Sequence, residues 1–91
     1  MISWDLLNNI IESRVQVPWN TNLFPANEQE REEIAMYEKI KIDAFSIEPN
    51  WMKEDLFQVC ERAKSFLESK YEQLSKESVD KIVNYLAYCL R

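Results

Sequence analysis

Apolar side chains recur at helical spacing in four stretches of this chain, and a single intervening segment breaks the pattern. Towards the C-terminus Val79, Ile82, Val83, Leu86 and Leu90 follow one another at intervals of three and four, which stacks side chains on one face of a 3.6-residue helix. Ser75 stands in the N-cap position with Glu77 in the first turn, and Leu74 and Val79 occupy the two positions of a hydrophobic staple. These signals predict a helix over 76–90. Before it, Met52, Leu56, Val59, Cys60, Ala63, Phe66, Leu67 and Leu74 keep the same spacing, interrupted by Lys70, and Pro49 suits the first turn. The short Gln73-Leu74-Ser75 junction makes the last two helices an antiparallel hairpin.

Upstream, Asn27 followed by Glu30 has the form of a capping box opening a helical segment over 28–46. Its apolar stripe is Met36, Tyr37, Ile40, Ala44 and Ile47. Ile40, Ile42 and Ala44 also alternate, so a short strand within 39–45 is a second reading of the same residues, although a lone strand would lack a pairing partner. At the N-terminus Ser3 caps a short helix carrying Leu7, Ile10 and Ile11, and the chain breaks at Pro18. Between Val15 and Asn27, two prolines and three asparagines before Glu28 stop regular structure. The expected fold is all-α, a compact bundle of three or four helices with a C-terminal helical hairpin, in one domain over 1–91.

Composition removes most catalytic options. Among 91 residues there is no glycine and no histidine, whereas average usage would supply roughly six glycines. Phosphate-cradling loops and type I′ turns lose their usual residue, and the commonest general base and metal ligand is missing. Cys60 and Cys89 alone cannot assemble a common structural zinc set, and no glycine-containing acidic loop is present for calcium. Neither a metal nor a cofactor is expected, nor an enzyme. Both cysteines lie in apolar helical stretches and read as buried free thiols. No apolar run has membrane-spanning length, and residues 1–5 show neither a basic nor an apolar leader region, which suits a cytoplasmic protein.

The net charge of −5 is unevenly distributed. Residues 1–26 contribute −1, residues 27–48 contribute −4 and residues 49–91 are balanced. A local negative surplus repels phosphate backbones and anionic lipid, so nucleic acid and membrane are poor partners and a basic protein is a good one.

Three groups of side chains fit poorly into a purely structural account. Stepping 100° per residue places Glu28, Glu32, Ala35, Lys39, Ile42 and Asp43 on a face apart from the Met36-Ile40-Ala44 stripe. Carboxylates around an apolar centre suit a basic partner, while the plain alternative is a solvated face with Ile42 in the core. Tyr88 points away from the Val79-Ile82-Leu86 stripe with Tyr85 and Lys81 beside it, either as an interface anchor or packed on the N-terminal helix or the loop. Trp19 and Phe24 in the proline-bounded loop either plug the core or face a partner. Trp4 and Trp51, at helix starts, read as core rim.

Size, acidic balance and helical pattern together resemble the small bacterial immunity proteins that neutralise a cognate toxin, including those of contact-dependent inhibition and colicin systems. The likeness is one of class over the whole chain, without a diagnostic motif. In the helical DNase-colicin type an acidic second helix is followed by an adjacent tyrosine pair; Glu28, Glu30, Glu32 and Glu33 match that helix in kind, whereas Tyr85 and Tyr88 are separated and lie near the C-terminus. The resemblance implies a stoichiometric inhibitor that occludes the site of a basic, nuclease-like toxin domain. Two other readings stay open: a helical adaptor that homodimerises through its 52–90 hairpin, and a phage-encoded nucleic-acid mimic.

Overall fold

The computed structural model describes residues 2–17 and 22–90. It contains α1 (Trp4–Arg14), a single 3₁₀ turn (Glu28–Glu30), α2 (Arg31–Phe45), α3 (Leu56–Lys70) and α4 (Lys76–Leu90). Helices account for well over half of the described residues, with no strand among them, so the alternation within 39–45 is carried by a helix.

Each helix start has a local cause. Ser3 Oγ accepts the Leu6 N–H at 3.3 Å and its carbonyl accepts Leu7 N–H at 2.9 Å. Asn27 Oδ1 accepts Glu30 N–H at 3.2 Å, but the Glu30 carboxylate does not return to Asn27 as a capping box requires. It accepts Ala26 N–H instead, at 2.9 Å, and the chain makes one 3₁₀ turn before α2 begins. Asp55 and Gln58 form a reciprocal capping box, with Gln58 N–H to Asp55 Oδ1 at 2.8 Å and Asp55 N–H to Gln58 Oε1 at 3.0 Å. Ser75 Oγ accepts Ser78 N–H at 3.1 Å and starts α4 where the sequence places it.

That box also corrects the predicted length of α3. The apolar spacing from Met52 to Leu74 suggests one long helix, yet α3 spans only Leu56–Lys70. Pro49 lies in the preceding connection, and Met52 is 96% exposed. The interruption at Lys70 marks the helix end. Tyr71 ends it with φ −123°, and Leu74 N–H bonds Tyr71 C=O at 3.0 Å, so the hairpin turns directly after α3.

One core joins all four helices. Leu7, Ile10 and Ile11 from α1, Ile34, Tyr37, Ile40 and Ala44 from α2, Ala63 and Leu67 from α3, and Val79, Ile82, Val83 and Leu86 from α4 are buried in a single cluster. Leu74, the predicted staple partner of Val79, is buried there too. Burial of Tyr37 pushes its hydroxyl well above the ordinary tyrosine range. Asn8 of α1 ties the hairpin turn down: its Oδ1 accepts Ser75 N–H at 2.8 Å and its Nδ2 donates to Gln73 C=O at 2.9 Å. The expectation of two buried thiols is corrected: Cys60 is half-buried and Cys89, in the last turn of α4, is exposed.

Candidate protein-binding surface on helices two and four

The seven acids of the 27–48 segment divide by what they touch. Glu30 is buried against Arg14, whose Nη1 and Nη2 reach its two oxygens at 2.8 and 2.6 Å. Hydrogen bonds from Arg14 and from Ala26 N–H hold its carboxyl below the usual range. Glu33 is buried beneath the start of α1, one oxygen accepting Ser3 N–H at 3.1 Å. Asp43 accepts a short hydrogen bond from Tyr71 Oη and the ammonium of Lys70 at 3.1 Å, and these two donors hold it below the usual range. Part of the acidic surplus therefore joins helices together.

The remaining predicted residues sit as follows. Glu28, in the 3₁₀ turn, and Glu32, Ala35 and Lys39, on α2, are exposed. Ile42 belongs with them and is 68% exposed, not core. Asp43 is half-buried and turned toward the end of α3. Ile42, Phe45, Ser46 and the stem of Lys41 line an open apolar depression of about 370 Å³. Phe45 in turn meets Tyr85 of α4, with ring centroids 5.2 Å apart. Tyr88, one turn further along α4, is 50% exposed. Of the residue groups that stood out in the sequence, Ile42 from the first is thus linked through Phe45 to Tyr85 from the second, at the ends of α2 and α4.

Lys41 organises that corner. Its Nζ lies 5.1 Å from the Tyr37 ring centroid and 5.6 Å from that of Tyr85, and contacts Glu38 Oε1 at 3.3 Å. It also donates to Asn22 Oδ1 at 3.4 Å, which brings the segment carrying Phe24 toward the same corner. A largely desolvated ammonium over two rings is worth about 0.5 to 2 kcal/mol, enough to keep Tyr85 in place beneath Phe45. Lys81 Nζ donates to Val15 C=O at 2.8 Å, which ties α4 to the end of α1. Phe24 is highly exposed and plugs nothing. Trp19 lies outside the described residues.

Distance separates the acids from this apolar centre. Glu32 is ten residues up α2 from Ile42, about 15 Å along the axis, and Glu28 is farther still. Those spans exceed the screening length of about 8 Å at physiological salt. Besides Asp43, which Tyr71 and Lys70 engage, the acid near the patch is Glu38, one turn from Ile42 and in contact with Lys41. Sequence reasoning missed Glu38, Lys41 and Phe45. Phe45 follows Ile42 by three positions, an i,i+3 pair that could have flagged it.

Trp51 is also misplaced by the core-rim reading. It is half-exposed in the α2–α3 connection, whereas Trp4 is half-buried against Tyr71 at a ring separation of 6.3 Å. Comparison with protein families, with curated proteins and with solved structures finds no match to this chain.

Proposed function

We propose that this protein is a stoichiometric inhibitor of the immunity type, which binds a basic toxin domain, nuclease-like in charge, and occludes its functional site. The observation that carries this reading is the set of exposed side chains Ile42, Phe45 and Tyr88, with Tyr85 half-buried against Phe45, at the foot of an acidic helix face. Apolar and aromatic side chains with low rotamer entropy supply the buried anchors, and carboxylates raise the encounter rate with a basic partner. Residues at this surface bind; none is placed as a nucleophile or a general base.

The acids have two ranges of action. Glu38 is close enough to pair directly with a cation at the rim of the patch, while Glu28 and Glu32 contribute to the field that orients an approaching basic domain. Such a division suits occlusion, in which the toxin's cationic site meets carboxylates in place of phosphates.

Capture from the native host, mass spectrometry of the bound protein and titration of the purified pair test the proposal. The expected result is a one-to-one complex with a basic protein whose activity falls in step with occupancy, and which Ile42→Lys disrupts. A concentration-dependent dimer that engages no partner would replace it with the adaptor reading.

A further inference from the structure

The connection from α2 to α3 presents a second group of apolar side chains, separate from the surface just described. Trp51 is 53% exposed, Met52 96% and Phe57 70%. Single exposed hydrophobes are ordinary, whereas here three large ones fall within seven residues, two in the connection and Phe57 in the first turn of α3, which calls for a cause.

Their backbone is braced. Lys53 and Glu54 donate their N–H groups to Asn50 C=O at 2.9 and 2.7 Å, and Asn50 N–H returns to Glu54 Oε1 at 3.1 Å. Arg62 closes the turn from α3, with Nη2 at 2.7 Å from Glu48 C=O and 2.9 Å from Glu54 Oε1. The Asp55-Gln58 box fixes the first turn, which carries Phe57. The apolar groups are thus displayed on a backbone that needs little further ordering on contact, which lowers the cost of binding. Trp, Met and Phe are also the residue types enriched at the centres of interfaces.

Charge selects the occupant. Between residues 48 and 62 four acids, Glu48, Glu54, Asp55 and Glu61, outnumber Lys53 and Arg62. Arg62 and Glu54 pair with each other inside the turn, which leaves Glu48, Asp55 and Glu61 against Lys53. A second copy of the chain would set acid against acid, and anionic lipid would be repelled. A basic rim around an apolar groove would be matched.

We infer that the 50–57 turn is a docking knob for a basic protein: Trp51 and Met52 enter an apolar groove, and cations flanking that groove meet Glu48, Asp55 and Glu61. This shares with the proposed function only the sign of the partner's charge, and uses different residues.

The probe is a synthetic amphipathic helix of leucine and lysine, with its leucine–glutamate counterpart as control, titrated against the full chain at low and moderate salt. The lysine peptide should bind, should slow amide exchange across 50–57, and should bind at least about tenfold more weakly to the W51A/M52A double variant, as loss of anchors implies. Both positions are exposed, so the melting temperature of that variant should be unchanged, and Ile42→Lys should leave peptide binding intact. Equal binding by the wild type and W51A/M52A, or equal binding of the glutamate peptide, would overturn the inference. So would a dimer that W51A/M52A disperses, or a Trp51 environment that responds only to phosphatidylcholine vesicles. Loss of binding in Ile42→Lys alone would place the basic partner on α2 and α4, sinking the knob while leaving the proposed function standing.

Discussion

Arg14 and Glu30 meet as a two-pronged pair, Nη1 to Oε1 at 2.8 Å and Nη2 to Oε2 at 2.6 Å, and so fix the end of α1 to the start of α2. The same carboxylate accepts Ala26 N–H, which anchors the chain as it enters the helix. A residue that resembles half of a capping box is instead the clamp between two elements.

An acid-side prediction follows from this clamp. Glu30 and Asp43 are both held below the ordinary carboxylate range, by Arg14 and by Tyr71 with Lys70 respectively. Their folded pKa values lie below the unfolded ones of about 4, so their contribution is present above that pH and is lost as pH falls through the lower folded values. Melting temperature measured from neutral pH downward should therefore drop below about pH 4. Glu30→Gln should melt lower than wild type at neutral pH and lose less on acidification; parallel profiles would contradict the assignment.

The alkaline side belongs to Tyr71. Burial and its hydrogen bond to Asp43 push its hydroxyl up to about 12. A raised folded pKa favours the protonated form, so this contribution is complete below the unfolded value of about 10 and is lost as pH rises toward the folded one. Tyr37, also raised by burial, adds in the same direction. Tyr71→Phe should flatten the decline in stability between about pH 10 and 12 without abolishing it, and ultraviolet titration should show one fewer late-ionising tyrosine. An unchanged alkaline limb would contradict the pairing.

Much of this architecture is written locally. Ser3, Asp55 and Ser75 cap helices by reaching a backbone N–H three residues on, and such signals need no tertiary information. The stripe from Val79 to Leu86 likewise faces the core as its period requires. What the sequence hides depends on long-range geometry. Asp43 looks like a surface acid until Tyr71, 28 positions away, is brought beside it. Met52 keeps the helical period by chance, and the Asp55 cap three residues later overrides it. Ile42 was legible as an exposed apolar residue in an acidic face, but its neighbour Phe45 becomes part of a surface only when α4 delivers Tyr85.

Two substitutions test the helical hairpin. Leu86 is buried in the common core, so Leu86→Ala should cost about 2 to 5 kcal/mol of unfolding free energy. Ser75 caps α4, donates its N–H to Asn8 Oδ1 at 2.8 Å and donates from Oγ to Glu12 Oε1 at 2.8 Å. Ser75→Ala should cost about 1 kcal/mol. Denaturant midpoints give both values, and a loss below about 0.5 kcal/mol for Leu86→Ala would mean the stripe is not load-sharing in the core.

Binding to a captured basic partner should separate encounter from retention. Reversing Glu28, Glu32 and Asp43 together would confound the two, because Asp43 also ties α2 to Tyr71 and Lys70. The cleaner variant is Glu28→Lys with Glu32→Lys, both exposed and far from the apolar centre. It should slow association and reduce its salt dependence, with dissociation nearly unchanged, since charges beyond the screening length act before contact. Ile42→Lys and Tyr88→Ala should do the opposite, raising the dissociation rate about tenfold or more while association changes little, because anchors are lost only after docking. Stopped-flow association at two salt concentrations and competition-based dissociation distinguish these outcomes. If the charge reversal leaves association and its salt response untouched, the acidic face of α2 has no part in recognition; if Ile42→Lys and Tyr88→Ala leave dissociation untouched, the α2–α4 surface is not where the partner sits.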